Sequence, residues 1–142
     1  MGTSDTIKAT GAPQPVGAYP HAKRLGNLLF LSGIGPRPAG GGPIPGTVLD
    51  DAGEVTSYDI EVQCHAVFAN VRTVLESAGA EWDDLVDVTV YLTDIRNDFE
   101  AYNKVYAEYF SAEGPARTTV EITRLPSPIA IELKCIAEAK QQ

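Results

Sequence analysis

The strongest constraint on the fold comes from segment 115–137, where two runs of alternating apolar and polar residues flank the sequence Leu-Pro-Ser-Pro at 125–128. Proline lacks the N–H group that a central strand donates, so the chain is expected to turn there. The pattern therefore predicts a β-hairpin. In that hairpin Glu132 lies opposite Thr119, and Arg117 shares their face roughly 7 Å away on the diagonal. The opposite, core-facing side is apolar: Val120, Ile122, Ile131, Leu133 and Cys135.

An arginine beside a glutamate on a rigid strand can have a chemical role. The Arg117 guanidinium suits bidentate binding of a carboxylate, and Glu132 can order a water molecule or transfer a proton. The same two residues on one face of a hairpin also match a simple cross-strand ion pair. The spacing alone leaves both interpretations open.

Further motifs lie along most of the chain: Gly17-Ala18-Tyr19, Asn27 to Gly33, and Asp98-Phe99 with Asn103, besides Arg117 to Val120, Leu125-Pro126 and Ile131-Glu132. In these motifs the chain resembles the Rid (YjgF-type) family of small trimeric imine and enamine deaminases. The site residues that this resemblance implies are Tyr19, Ser32, Asn103, Arg117, Thr119 and Glu132. Two features depart from the family pattern: Thr119 stands where many members carry cysteine, and the segment Arg37 to Tyr58 is longer than the usual connection.

The resemblance implies a hydrolytic deaminase. An enamine or imine carboxylate would bind to Arg117, and Glu132 would position and polarise the water that attacks the C=N carbon. The groups that would orient substrate or water are Tyr19, Ser32, Asn103 and the backbone N–H group of Thr119. Each has a structural alternative, because Tyr19 can anchor a loop, Ser32 can bond at a strand end, and Asn103 can bond a neighbouring loop.

Several longer stretches resemble the 2-aminomuconate deaminase branch of the family, whose substrate is a six-carbon dicarboxylate from aromatic compound degradation. They are segments 32–37, 44–46, 63–71 and 127–135. A dicarboxylate would need a second cation, for which Arg37 and His21 are the candidates. Two alternatives remain: a general deaminase of 2-iminobutanoate and 2-iminopropanoate (2-aminoacrylate), and a non-catalytic carboxylate-binding or chaperone-like trimer.

Composition limits the class of partner. The formal net charge of −8 argues against nucleic acid, because binding a polyanion needs a clustered positive surface. No apolar run approaches the roughly 20 residues that span a bilayer, and the N-terminus lacks the features of a secretory leader. We therefore expect a cytoplasmic protein that binds a small carboxylate and neither nucleic acid nor membrane.

The cysteine and histidine count excludes the zinc deaminase class, which needs a His or Cys together with a Cys-x-x-Cys pair. The chain has two of each: Cys64, Cys135, His21 and His65. Neighbouring Cys64 and His65 would diverge by about 100° on a helix and could not easily bind one ion. We predict no metal site, no cofactor, and two reduced cysteines in the core.

The 142 residues fit one domain, 1–142. The expected elements are a strand at 27–33, a long loop at 34–56, a helix from Ser57 or Asp59 to Ala78, a strand at 86–92, a helix from Asp98 to Phe110, and the hairpin. This order predicts an α+β fold, with two helices on one face of a mixed sheet. The family resemblance implies a chorismate-mutase-like homotrimer, or a dimer of trimers, with a central β-barrel and clefts between subunits.

Overall fold

Two helices pack on one face of a six-stranded mixed sheet in the computed structural model, which describes residues 5–139. The sheet order is β1-β2-β3-β8-β6-β7, and β4 and β5 form a separate hairpin. The strands are β1 (Thr6–Ile7), β2 (Ala22–Leu25), β3 (Leu28–Leu31), β4 (Thr47–Leu49), β5 (Val55–Tyr58), β6 (Leu85–Leu92), β7 (Ala116–Glu121) and β8 (Ile131–Glu138); the helices are α1 (Ile60–Ser77) and α2 (Ile95–Tyr109). The predicted α+β class is confirmed.

Helix α1 begins and ends where the sequence predicts. The Asp59 carboxylate accepts hydrogen bonds from the backbone N–H groups of Glu61 and Val62, which have no partner inside the helix. Gly79, with φ of +80°, takes the left-handed conformation that ends the helix. The apolar stripe packs against the sheet and forms much of the core: Ile60, Cys64, Val67, Phe68, Val71, Leu75 and Ala78.

Helix α2 begins earlier than the sequence predicts. Its cap is Asp94, whose carboxylate accepts from the Asn97 N–H group, whereas the predicted cap, Asp98, lies inside the first turn. Asp98 is buried there and accepts a hydrogen bond of 2.6 Å from the Tyr58 hydroxyl. Burial raises the pKa of Asp98. Its carboxylate thus attaches the β4–β5 hairpin to α2 and does not cap the helix.

The predicted C-terminal hairpin is wrong, because β7 and β8 do not pair with each other. Strand β6 lies between them, parallel to β7 and antiparallel to β8. The side chains of Val88, Val90 and Leu92 on β6 are fully buried. Because β6 pairs on both edges, its backbone N–H and C=O groups have strand partners. If β7 and β8 paired with each other instead, one edge of this buried strand would lack hydrogen-bond partners.

The inserted strand changes which side chains share a face of the sheet. Arg117 and Thr119 pair with Val88 and Val90, whose side chains face the helices. Glu132 pairs with Tyr91, on the face opposite α1 and α2, which no helix covers within residues 5–139. The open face also carries Val120, predicted to be in the core but 36% exposed. The expectation that Arg117, Thr119 and Glu132 share one face is therefore wrong.

The predicted loop at 34–56 contains strand β4 and the start of β5. Its anchor is Gln63, which is fully buried on α1. The Gln63 side chain donates to Thr47 Oγ1 (2.7 Å) and accepts from the Ala130 N–H group (2.8 Å). Strand β2, whose sequence Ala-Lys-Arg-Leu has little apolar alternation, was also not predicted.

Both cysteines are free and buried, as predicted. Burial raises the pKa of each thiol, Cys64 and Cys135, to about 12, so both are neutral and unreactive. Between Asp5 and Ala139, neither helix has the length and apolarity needed to cross a membrane.

Candidate functional site

A cleft opens where β8 meets the segments that follow β3 and precede β2. Glu132 and Lys134 project into it from β8, and Tyr19, Ser32 and Arg37 line it from the surrounding segments. The central β8 gives Glu132 a rigid base, because it pairs with strands on both sides. Three residues predicted for the site, Tyr19, Ser32 and Glu132, therefore meet in one place.

Glu132 is the titratable centre of this cleft. Its side chain is half-buried, and burial raises the pKa of its carboxyl group, while the charge of Arg37 partly opposes that rise. Within residues 5–139 its carboxylate has no hydrogen-bond partner. A carboxyl group with both oxygens available and a raised pKa is suited to exchanging protons with a bound ligand or water.

Gly33 lets the Glu132 side chain take this position. A Cβ atom on residue 33 would overlap Glu132 Oε1, so any side chain there would displace the carboxylate. We predict that Gly33→Ala lowers kcat at least about tenfold with little change in the melting temperature. Gly40→Ala, at a glycine whose added Cβ would meet nothing within 4 Å, is the matched control for kinetics and thermal denaturation. Full activity of Gly33→Ala would show that the observed position of Glu132 is not needed.

The segment before β2 supplies the opposite wall of the cleft. The Ser32 hydroxyl donates to the carbonyl oxygen of Pro20 (2.7 Å), and the Tyr19 hydroxyl accepts from the Val16 N–H group (3.2 Å). Both hydroxyls thus have local structural partners. Tyr19 remains 41% exposed, so its ring is available to a ligand.

Backbone groups occupy both ring nitrogens of His21, one of the two candidates for the second cation. Its Nδ1 accepts from the Ala9 N–H group (2.9 Å), and its Nε2 faces the carbonyl oxygen of Pro13 (2.8 Å). Neither nitrogen is left for a ligand carboxylate. His21 is buried and fixes the segment before β2. Arg37, the other candidate, does line the cleft.

Lys134 is a cleft residue that was not predicted as part of the site. Its ammonium group donates to the carbonyl oxygen of Leu31 and lies 6.0 Å from the centre of the Phe30 ring. Burial lowers the pKa of Lys134. The signal was its position two residues after Glu132, which puts both side chains on one face of a strand.

Arg117 belongs to a second cluster, between β7 and α2. Its Nη1 donates to Asn103 Oδ1 (2.8 Å), and its guanidinium lies over the rings of Tyr106 (4.6 Å) and Tyr102 (5.4 Å). The Tyr102 hydroxyl is 2.9 Å from Thr119 Oγ1. The structure therefore brings together Asn103, Arg117 and Thr119, three other predicted residues, and orients the arginine.

The two clusters are separate within one chain. Along β6, Val88 marks the level of Arg117 and Tyr91 marks that of Glu132. The two residues are thus roughly 10 Å apart across the sheet and roughly 10 Å apart along it, with their side chains on opposite faces. One copy of the chain cannot bring the guanidinium and the carboxylate to the same small ligand.

Comparison with known proteins adds evidence along most of the chain. A family model described as Endoribonuclease L-PSP matches residues 9–139. A RutC family protein from Pyrococcus abyssi is 41% identical over 133 residues, which cover 94% of this chain and 95% of the relative. A Dermatophagoides farinae protein named 2-iminobutanoate/2-iminopropanoate deaminase is 34% identical, with 96% and 97% covered. The crystal structure of Escherichia coli TdcF with bound serine superposes with a TM-score of 0.77 at 30% identity, covering 95% of this chain and 98% of that one.

Proposed function

The chain belongs to the Rid/YjgF family, whose family model carries the description Endoribonuclease L-PSP, and we propose that it is a hydrolytic deaminase of imine or enamine carboxylates. The observation that carries the proposal is Glu132, a half-buried carboxyl group with a raised pKa and no hydrogen-bond partner among the described residues. The name of the Dermatophagoides relative and the serine bound to TdcF support a small amino-acid-like ligand.

We further propose that the complete site forms between two copies of the chain in a homotrimer. Arg117 lies on β7, which is an edge strand, and Glu132 lies on a sheet face that no helix covers. That face carries exposed apolar side chains, including Leu28 and Val120. Burying it against other copies would remove this apolar surface from water and bring Arg117 of one copy to the Glu132 cleft of the next.

In the proposed reaction, the substrate carboxylate binds to the guanidinium of Arg117, which Asn103 and the tyrosine rings hold in place. An enamine first takes a proton at carbon to become the imine. Glu132 then removes a proton from water as its oxygen bonds to the C=N carbon, and returns that proton to the nitrogen, which gives a carbinolamine. The hydroxyl proton of the carbinolamine passes to the nitrogen as the C–N bond breaks, so ammonia leaves and a 2-oxo acid remains. One water is consumed and no electron is transferred.

Among substrates of this class we propose 2-aminomuconate, a dicarboxylate. The specific observation that favours it is the presence of Arg37 in the same cleft as Glu132, in addition to Arg117. The alternative substrates, 2-iminopropanoate and 2-iminobutanoate, each have one carboxylate. That carboxylate would bind Arg117 and would leave Arg37 without a role in substrate binding.

The family description also raises RNA cleavage as a second activity. The net charge of −8 disfavours RNA cleavage, because a protein that binds RNA needs a positive surface that displaces the counterions of the phosphates. A non-catalytic carboxylate-binding protein is the other alternative, since the same cleft can bind a ligand without turnover.

The test is ammonia release from 2-aminomuconate and from 2-aminoacrylate, each generated enzymatically in the cuvette and compared with spontaneous hydrolysis. We expect acceleration of both, with the higher kcat/KM for 2-aminomuconate. Acceleration of 2-aminoacrylate alone would overturn the dicarboxylate assignment. Acceleration of neither substrate would overturn the deaminase proposal, and RNA cleavage by the same preparation would replace it.

A further inference from the structure

We propose that Arg37 is a second anion-binding residue of the Glu132 cleft and that Asn70 on α1 positions it, so that this pair selects ligands with two carboxylates. This inference rests on the proposed function and deepens it by naming the residues that distinguish a dicarboxylate from a monocarboxylate. Four observations support it, concerning the donors of Arg37, the attachment of its backbone, the neighbouring cations and the second chamber beside it.

The guanidinium of Arg37 has donors to spare. One N–H group binds the carbonyl oxygen of Gln14 (2.8 Å), which orients the side chain. Within residues 5–139 Arg37 forms no salt bridge with a carboxylate, and its charge acts on Glu132 only through space. An arginine has five N–H donors in a planar fork, so a bidentate face is left for a ligand carboxylate.

The backbone of Arg37 is attached to a rigid helix. Asn70 Nδ2 donates to the carbonyl oxygens of both Gly35 (2.9 Å) and Arg37 (2.8 Å). These two bonds hold the first turn of the long 34–46 segment against α1, just before the run Gly40-Gly41-Gly42. Gly35 adds a close approach, since a Cβ there would lie 2.7 Å from Ile129 Cδ1. No other group in the described residues donates a hydrogen bond to the carbonyl oxygen of Gly35 or of Arg37.

The other cations near the cleft are less suitable. The Lys134 ammonium is already bound to the Leu31 carbonyl oxygen and lies beside the Phe30 ring. Both ring nitrogens of His21 already bond backbone groups. Lysine also binds as a point charge, without the fork that matches a carboxylate. Arg37 is the cation of this cleft best able to receive a second carboxylate.

Arg37 also borders a second, smaller chamber. Asn70 and Val74 of α1 line that chamber, and Ser32 and Arg37 are shared between it and the Glu132 cleft. Because Arg37 lines the same cleft as Glu132, the distal carboxylate of an elongated substrate can reach its guanidinium from within that cleft.

The experiment compares the binding of two inert six-carbon acids, muconate and sorbate, which share a diene chain but carry two carboxylates and one. Calorimetry on the intact protein should show muconate bound at least about tenfold more tightly than sorbate. Arg37→Gln and Asn70→Leu should each weaken muconate binding about tenfold and change sorbate binding less than about twofold. In a protein that already carries Arg37→Gln, Asn70→Leu should weaken muconate binding no further, because Asn70 acts through Arg37.

Thr73→Ala is the matched control, since the Thr73 hydroxyl, among the described residues, bonds the Ala69 carbonyl oxygen of its own helix and no group of the cleft. If Asn70→Leu does not fold, Asn70→Ser gives the same comparison with a smaller change. Equal losses for both acids, additive effects in the double variant, or no muconate preference in the wild type would each overturn the inference. Ammonia assays on the wild type test the deaminase proposal separately, so the two failures are distinguishable.

Discussion

Glu132→Gln should lower kcat for ammonia release by about 10² to 10⁴-fold, because the amide can neither take a proton from water nor return one to nitrogen. The substitution keeps the size and shape of the side chain above Gly33. It also leaves Arg117, on the other face of the sheet, unchanged. Substrate carboxylate binding should therefore change little. Steady-state kinetics and calorimetric titration with sorbate measure the two effects separately.

Glu138→Gln is the matched control, since Glu138 lies on the same strand, is exposed, and loses the same charge. It should keep wild-type kinetics. A Glu132→Gln enzyme with unchanged kcat would remove Glu132 from the chemistry. A variant that loses sorbate binding as well as turnover would instead make Glu132 a binding residue.

The raised pKa of Glu132 gives this prediction a pH dependence. In the proposed reaction Glu132 acts first as a base, so activity should rise with pH at a midpoint above the ordinary glutamate value of 4.5. The same shift acts on stability with the opposite sign. The folded state binds the Glu132 proton more tightly than the unfolded state does. The contribution of Glu132 to the free energy of unfolding is therefore fully present below pH 4.5 and is lost as pH rises through the raised pKa. Glu132→Gln should lack both transitions.

Arg117→Lys should raise KM about 10- to 100-fold, with a smaller effect on kcat. Lysine keeps the positive charge but loses the planar fork that binds a carboxylate through two hydrogen bonds. It also loses the defined bond from Nη1 to Asn103 Oδ1. The loss of one or two charge-assisted hydrogen bonds corresponds to about 1.5–3 kcal/mol. Initial-rate measurements over a wide range of substrate concentrations provide the test.

Arg124→Lys is the control for this change, because Arg124 is exposed. Its kinetics should match the wild type. The circular dichroism and melting temperature of Arg117→Lys should also stay close to the wild type, since lysine can still lie over the rings of Tyr102 and Tyr106. An unchanged KM would mean that the substrate carboxylate binds elsewhere, with Arg37 as the next candidate.

The sequence was most informative where local signals agreed. For α1, the Asp59 cap, the apolar stripe and the Gly79 stop all coincide with the observed helix. Asp98 was misleading because a capping residue type also suits a buried hydrogen bond to Tyr58, and that partner lies 40 residues away. The motifs that resemble the Rid family correctly identified the family.

Strand pairing was the part that periodicity could not predict. Alternation shows that β7 and β8 each have two faces, but it carries no information about which strand lies beside them. Placing β6 between them moved Arg117 and Thr119 to the helix side, away from Glu132. The motifs thus supplied the candidate residues of the site, whereas the arrangement of these residues depended on the fold.

The most direct test of a site shared between two copies is complementation of two inactive variants. Glu132→Gln retains Arg117, and an Arg117→Met variant retains Glu132. Coexpressed in equal amounts, they should assemble at random into trimers in which about a quarter of the interfaces combine an intact Arg117 with an intact Glu132. The account predicts recovery of about a quarter of wild-type activity. Activity no higher than the sum of the two separate variants, in trimers shown by mass spectrometry to be mixed, would contradict it.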